Sequence, residues 1–282
     1  MAAKKTLRRV LRLLAISAKI DLMWLLRDTK FALLCMIGDV AINLATVSGM
    51  FLIALRFGGI GGMSADEVLF MMGYSTMVTG LFSLFGSGNN IHISRIIGRG
   101  QLEHLFMQPL SLPMQLLTSG FGPFTGSSNL LSGIVLLAVA AGRIGLHATP
   151  QWLLALFAQL AATMAIIIGR SYLASTLAFY APVAAEEISS TVIDDSWVLG
   201  TFPLSGMPRF ITLPLLTILP EGLMAWLPTL ILLGKAPEAY LTYYPMIFAL
   251  MLALVTTYAF RKGMKHYVQK GTNRYVPFGY RR

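Results

Sequence analysis

The chain has 282 residues, of which 56% are hydrophobic and only 12% charged, and its mean hydropathy is +0.69. Soluble domains carry about 25% charged residues and cannot hide so much apolar side chain, so a soluble enzyme and a disordered chain are both excluded. The net charge of +10 does not point to nucleic acid, because eight Lys and Arg lie within residues 1–30 and seven within 261–282, on either side of an apolar middle. That distribution holds both ends of a membrane protein in the cytoplasm.

Residues 5–30 are predicted to form an amphipathic interfacial helix. Lys5, Arg8, Arg9, Arg12, Lys19, Arg27 and Lys30 fall within an arc of about 100°. Leu7, Leu11, Leu14, Ala18, Leu22 and Leu25 face the other way, so the helix lies in the headgroup layer with its basic edge on anionic lipid. No small-residue cleavage site follows, and no cleavable signal is expected. A spanning helix needs about 20 mostly apolar residues. Segments 31–55, 68–85, 116–141, 152–171 and 240–260 qualify. The lone Cys35 falls in the first, which rules out a disulfide framework and suggests a packing role.

The stretch before the last span is less regular. Residues 210–233 are apolar but interrupted by Pro214, Pro220, Glu221 and Pro228, whereas 181–208 hold four acids and no Lys or Arg. Two arrangements fit. In one, 181–208 is a cytoplasmic loop and 210–233 a broken fifth span. In the other, 186–202 is a polar fifth span and 210–233 a re-entrant hairpin in the outer leaflet, where irregular backbone must be covered by protein or water. Cytoplasmic loops favour Lys and Arg, so charge selects the second. Either gives six crossings, with a basic cytoplasmic tail at 261–282.

Spans two and three are joined by residues 90–113. Gly98 and Gly100 allow a tight break after the second span. A short helix from Gln101 to Gln108 would place Leu102, Leu105 and Phe106 on one face, and Pro109 and Pro113 would end it and restart the chain. A rigid two-turn cytoplasmic helix of this kind suits force transfer from a soluble motor.

These residues carry a resemblance. Gly100, Leu102, Glu103, Leu105, Pro109, Leu110, Ser111, Leu112 and Gln115 follow a pattern that resembles the coupling helix of ABC-2-type export permeases, with Gln108 where the most similar branch usually has Arg. Residues 202–210, Leu219-Pro220 and 228–234 are similar to the element after the fifth span of that family. The branch is one in which two related permeases are often encoded beside one ATPase.

The resemblance implies an all-α integral membrane fold: six transmembrane helices, an N-terminal interfacial helix, a coupling segment at 98–113 and a re-entrant outer hairpin. It also implies a half-transporter in the plasma (bacterial inner) membrane. A second permease, related or identical, would pair with it, and two ABC ATPase subunits would dock on Arg99, Gly100, Leu102, Glu103, His104, Leu105, Phe106 and Pro109. ATP and Mg would sit on those subunits. This chain has no phosphate-binding loop of the Gly-x-x-x-x-Gly-Lys-(Ser/Thr) type and is expected to hold no cofactor or metal. Its other partners are membrane lipids, with no nucleic acid.

Ionisable groups within spans are functional candidates. Arg170 lies 18 residues past Trp152, about 27 Å along a helix, so it is expected to snorkel to the inner surface, with an Asp39–Arg170 pair as the next reading. Glu186 and Glu187 fit the first turn of a helix after Pro182. Asp194, about 12 Å deeper, needs a wet cavity or a cation. Glu187, Asp194 and Glu221 are therefore candidates for a substrate path that takes cationic amphiphiles, Glu221 at the outer hairpin.

Competing classes fit less well. No catalytic residues are assigned, because His92, His104, His147 and His266 are scattered and no metal-binding pair is spaced for chemistry. A motor-free secondary transporter or channel would show inverted half-repeats with matching breaks, and only one half has a clear break. An importer would carry a Glu-Ala-Ala loop, from which Glu103-His104-Leu105 departs.

Overall fold

The computed structural model describes residues 2–86, 92–118, 120–236 and 238–271. The start of the 90–113 segment and positions 272–282 of the expected tail lie outside them. The described residues form twelve α-helices, with one isolated bridge between Ile60 and Met63 and no strand. They are α1 (Ala2–Arg27), α2 (Thr29–Phe57), α3 (Ala65–Gly86), α4 (Ile93–Gly98), α5 (Leu102–Phe106), α6 (Leu112–Thr118), α7 (Ser127–Ile144), α8 (Pro150–Ser175), α9 (Ile188–Leu199), α10 (Arg209–Thr217), α11 (Trp226–Leu232) and α12 (Tyr244–Lys270).

Five helices are long and apolar enough to cross a membrane: α2, α3, α7, α8 with its 3-10 extension to Phe179, and α12. A sixth crossing is possible by length if Arg209–Thr217 and Pro220–Leu232, bent by 68°, count as one. Local chemistry sets several of the boundaries. Ser64 and Glu67 form a capping box at the start of α3: the Glu67 carboxylate accepts from the Ser64 N–H at 3.0 Å and the Ser64 hydroxyl from the Glu67 N–H at 3.3 Å. Thr149 caps α8 by accepting from the Trp152 N–H at 3.2 Å, and Pro150 starts the helix.

The expected third span, 116–141, is two helices. α6 ends at Thr118 and α7 begins at Ser127. The residues between include Gly120, Gly122, Pro123 and Gly126, which supply neither helix propensity nor a full set of N–H donors. Asp21 of α1 holds the break open: its carboxylate accepts from the N–H groups of Phe124 (2.7 Å) and Thr125 (3.1 Å) and from the Thr125 hydroxyl (2.7 Å).

Helices this apolar gain little by hiding side chains from lipid, so their association rests on close packing and small residues. α3 and α7 run antiparallel with Gly73, Gly80, Gly126 and Gly133 at the seam. A Cβ on any of the four would come within 3.0 Å of the opposing backbone. The larger core lies among α3, α7, α8 and α11, where Phe70, Met71, Ile166 and Leu227 are fully buried. A smaller core at the other end gathers Ile93, Ile97, Leu102, Phe179 and Tyr267. That end carries α4, α5 and the last turns of α8 and α12, and with Arg95, Arg99, Arg261, Lys262 and Lys265 on or next to these elements it is the basic end of the molecule.

The region after α8 matches neither sequence arrangement whole. α9 has 12 residues, about 18 Å of helix, against about 30 Å of hydrocarbon. It is more than a loop and shorter than the expected 186–202 span. Both flanks of the bent pair meet the end opposite the basic one: Ser205 abuts Gly61 in the α2–α3 turn, and Lys235 pairs with Glu67. The α11 leg is buried, whereas α10 has no buried residue. Cys35 is exposed on α2 rather than packed.

Candidate functional site

The basic end is built from α4 outward. Gly100, at φ 66°, takes a conformation strained for any residue with a Cβ. Its N–H donates to the Ile97 carbonyl at 3.0 Å and the Gln101 N–H to that of Ile96 at 2.9 Å. This pair of bonds closes α4 and turns the chain into α5. α5 has five residues, shorter than the expected 101–108 helix, because Met107 to Leu110 turn before α6.

Leu102 anchors α5 in the smaller core with no exposed surface, and Leu105 is half-buried against the same residues. Glu103, His104, Phe106, Met107 and Pro109 are exposed. Leu102, Leu105 and Phe106 lie at helical spacing, but burial falls off along them, from Leu102 in the core through half-buried Leu105 to exposed Phe106. The Gln115 amide of α6 donates to the carbonyls of Leu105 and Leu110, both at 2.8 Å, and fixes α5 to α6.

α4 also reaches the start of α9. Arg95 Nε donates to Glu187 Oε1 at 3.1 Å, and a second guanidinium nitrogen meets Glu187 Oε2. Arg99 Nε donates to Glu186 Oε1 at 2.7 Å. The arginines, four residues apart, share one face of α4. Beneath them the Ser94 hydroxyl donates to the Glu186 carbonyl at 2.7 Å and lies 2.6 Å from the Ser189 hydroxyl. His92 Nδ1 lies 3.1 Å from the Ser190 hydroxyl. The hydrogen-bonded Arg95 holds the Glu187 carboxyl below the usual carboxylate range, and Glu187 in turn raises Arg95. Burial, with Arg95 nearby, pushes His92 down.

Glu187, expected on a substrate path, is thus bound to Arg95, and Arg99, expected to face a partner, bonds Glu186. Of the four acids in 181–208, a stretch with no base of its own, Glu186 and Glu187 take their cations from α4. Arg95 was not singled out in the sequence, although the missing bases were a signal for it.

A second charged group is buried between α8 and the bent pair. Arg170 Nη1 lies 2.6 Å from Glu221 Oε1 and donates to the Ser196 hydroxyl at 3.1 Å. Two turns earlier on α8 the Tyr74 and Thr163 hydroxyls meet at 2.9 Å, and Thr163 donates to the Leu223 carbonyl at 3.4 Å. Among the described residues Glu221 Oε2 is buried without a hydrogen-bond partner. Arg170 therefore does not snorkel, and Asp39 is exposed on α2 rather than paired with it. The reason is the buried turn Pro220–Leu223, which carries Glu221 inward. Asp194 and Asp195 are exposed on α9.

A family model described as ABC-2 family transporter protein matches residues 40–271. The chain belongs to this family. No curated protein and no solved structure matches it. As an ABC-2-type permease with several apolar helices, it is a multi-pass membrane protein, and permeases of this family generally work with ATPase subunits. The matched region contains both charged groups and all of α5.

Proposed function

We propose that this ABC-2 permease is the membrane subunit of an exporter: half of a translocation path, completed by a second permease and driven by two ATPase subunits that carry ATP and Mg. The observation that carries the reading is α5. It offers Glu103, His104, Phe106 and Met107 outward while Leu102 and Gln115 lock it to the bundle, so a push on α5 passes into α4 and α6 rather than dissipating in a loop. The Arg95–Glu187 and Arg99–Glu186 bonds carry the same displacement into α9, whose far end meets the hairpin where Gly200 abuts Met224.

The basic end faces the cytoplasm of a bacterial plasma membrane, in keeping with the positive-inside bias, and the bent pair is a re-entrant hairpin on the far side. The exposed α10 leg suits a second permease, related or identical. The exposed acids Asp194 and Asp195 favour cationic, amphiphilic small molecules, with Glu221 behind them in the hairpin and Glu187 now in the coupling group.

The test is purification from the native membrane in mild detergent, with co-purifying chains identified by mass spectrometry. A near-stoichiometric P-loop ATPase is expected, reduced at least tenfold by Phe106→Asp with the permease still folded. Phe106 is a better probe than Leu105, whose half-buried side chain also supports the small core. A folded, monodisperse protein with no ATPase overturns the proposal and leaves a motor-free transporter.

A further inference from the structure

α8 turns the face opposite the Arg170 pair toward an apolar groove. The groove, about 650 Å³, lies between α3, α6, α8 and α12, with Met77, Phe85, Leu116, Phe157 and Met164 among its walls. Leu112, Pro113, Tyr172 and Phe260 also line a second space of about 400 Å³, so the two adjoin across shared walls. Each volume falls within the range of roughly 300–1,000 Å³ that suits a bound ligand. Along α8 the lining runs from Phe157 to Tyr172, about 22 Å, more than the depth of one leaflet's hydrocarbon, which is about half of 30 Å.

The lining changes along this length. The first space is walled by apolar side chains and the ring of Tyr172, whereas the second also holds Thr256, Thr257 and Arg261. Arg261 is exposed, and among the described residues no carboxylate lies within ion-pair distance of it. Lys265 follows one turn later on the same face of α12. A long apolar slot that ends at an uncompensated cation matches a molecule with a hydrocarbon chain and an anionic head. Basic pockets between membrane helices bind lipid phosphate in the same way.

We infer that this groove binds one acyl chain of an anionic glycerophospholipid, with its phosphate on Arg261 and Lys265. The chain occupies the slot between α6 and α8, and the head sits at the basic end. Because Gln115 ties α6 to α5, the lipid wedges the segment that supports α5. The site does not depend on the exporter reading and stands if that reading fails.

The test uses the full chain, delipidated in mild detergent, exposed to phosphatidylglycerol or phosphatidylcholine and weighed by native mass spectrometry. Retention of phosphatidylglycerol several-fold above phosphatidylcholine is expected. Arg261→Gln with Lys265→Gln should bring the two to parity, while Arg8→Gln with Arg12→Gln on the basic face of α1 should not. Ala161 lines the slot on α8, and Ala161→Trp, which fills it, should remove the retained lipid. If that variant does not fold, the surface pair at 261 and 265 still decides. Equal retention of both lipids by the natural chain overturns the inference. So does a preference that follows the α1 substitutions, or an Ala161→Trp chain that loses a partner protein while keeping its lipid.

Discussion

The two arginine–glutamate groups use the same chemistry at opposite extremes of burial. Arg95 and Glu187 keep 29% and 53% of their side-chain surface, whereas Arg170 and Glu221 keep 11% and 1%. At the basic end, water and salt weaken the attraction, and such pairs contribute about 0.2–1 kcal/mol. In the interior the attraction is stronger, but the desolvation of both charges offsets most of it. The exposed group can rearrange at little cost, which suits a joint between moving parts. The buried group resists the loss of either partner and so holds the hairpin turn to α8.

The largest effect is therefore expected from breaking the buried pair by halves. Arg170→Met leaves Glu221 as an isolated buried charge, and Glu221→Gln does the converse to Arg170; each should cost about 3–5 kcal/mol in unfolding measurements on the detergent-solubilised protein. The double variant Arg170→Met with Glu221→Met should recover much of that loss, because two apolar side chains suit the site better than one orphaned charge. A double variant as unstable as the singles would show that the ion pair itself, and not the avoided orphan, holds the hairpin. Glu221 Oε2 already lacks a partner among the described residues, so removing this carboxylate also removes an unmet acceptor.

Neither pairing was legible in the sequence, and the reason is separation. Glu187 lies 92 residues from Arg95 and Glu221 lies 51 from Arg170 (221 − 170), and periodicity carries no information at such range. The long apolar helices were legible, since α2, α3, α8 and α12 announce themselves by about 20 apolar residues each. The break between α6 and α7 had its glycines and Pro123 in plain view, yet hydropathy alone runs through them. What decides the break is Asp21 of α1, about a hundred positions away. At the basic end the motif residues were readable, but their burial was not: the turn at Gly100 sends Leu102 inward and Phe106 outward.

A second, smaller prediction sharpens the contrast. A double-mutant cycle on Arg95→Ala and Glu187→Ala should give a coupling of about 0.2–1 kcal/mol that falls with added salt. The same cycle on Arg170 and Glu221 should be larger and nearly indifferent to salt, because ions do not enter the interior. Equal salt dependence at the two sites would mean that water reaches Arg170, and the hairpin would then be open rather than sealed.

The smallest effect is a two-step dependence on pH at the basic end. Burial keeps the folded-state pKa of His92 below its ordinary value, so the unfolded chain takes up a proton that the folded one resists. Stability should begin to decline as pH falls through about 6.5, and His92→Gln should abolish that first step. Glu187 acts lower. Its folded carboxyl, held down by Arg95, contributes stability that is complete above the ordinary carboxylate value and is lost as pH falls through the depressed one. Arg95→Ala should shrink this second step and leave the first in place, since His92 is lowered mainly by burial and only secondarily by Arg95. Loss of both steps in Arg95→Ala would instead mean that α4 and α9 separate without it, which would make the exposed joint cooperative like the buried one.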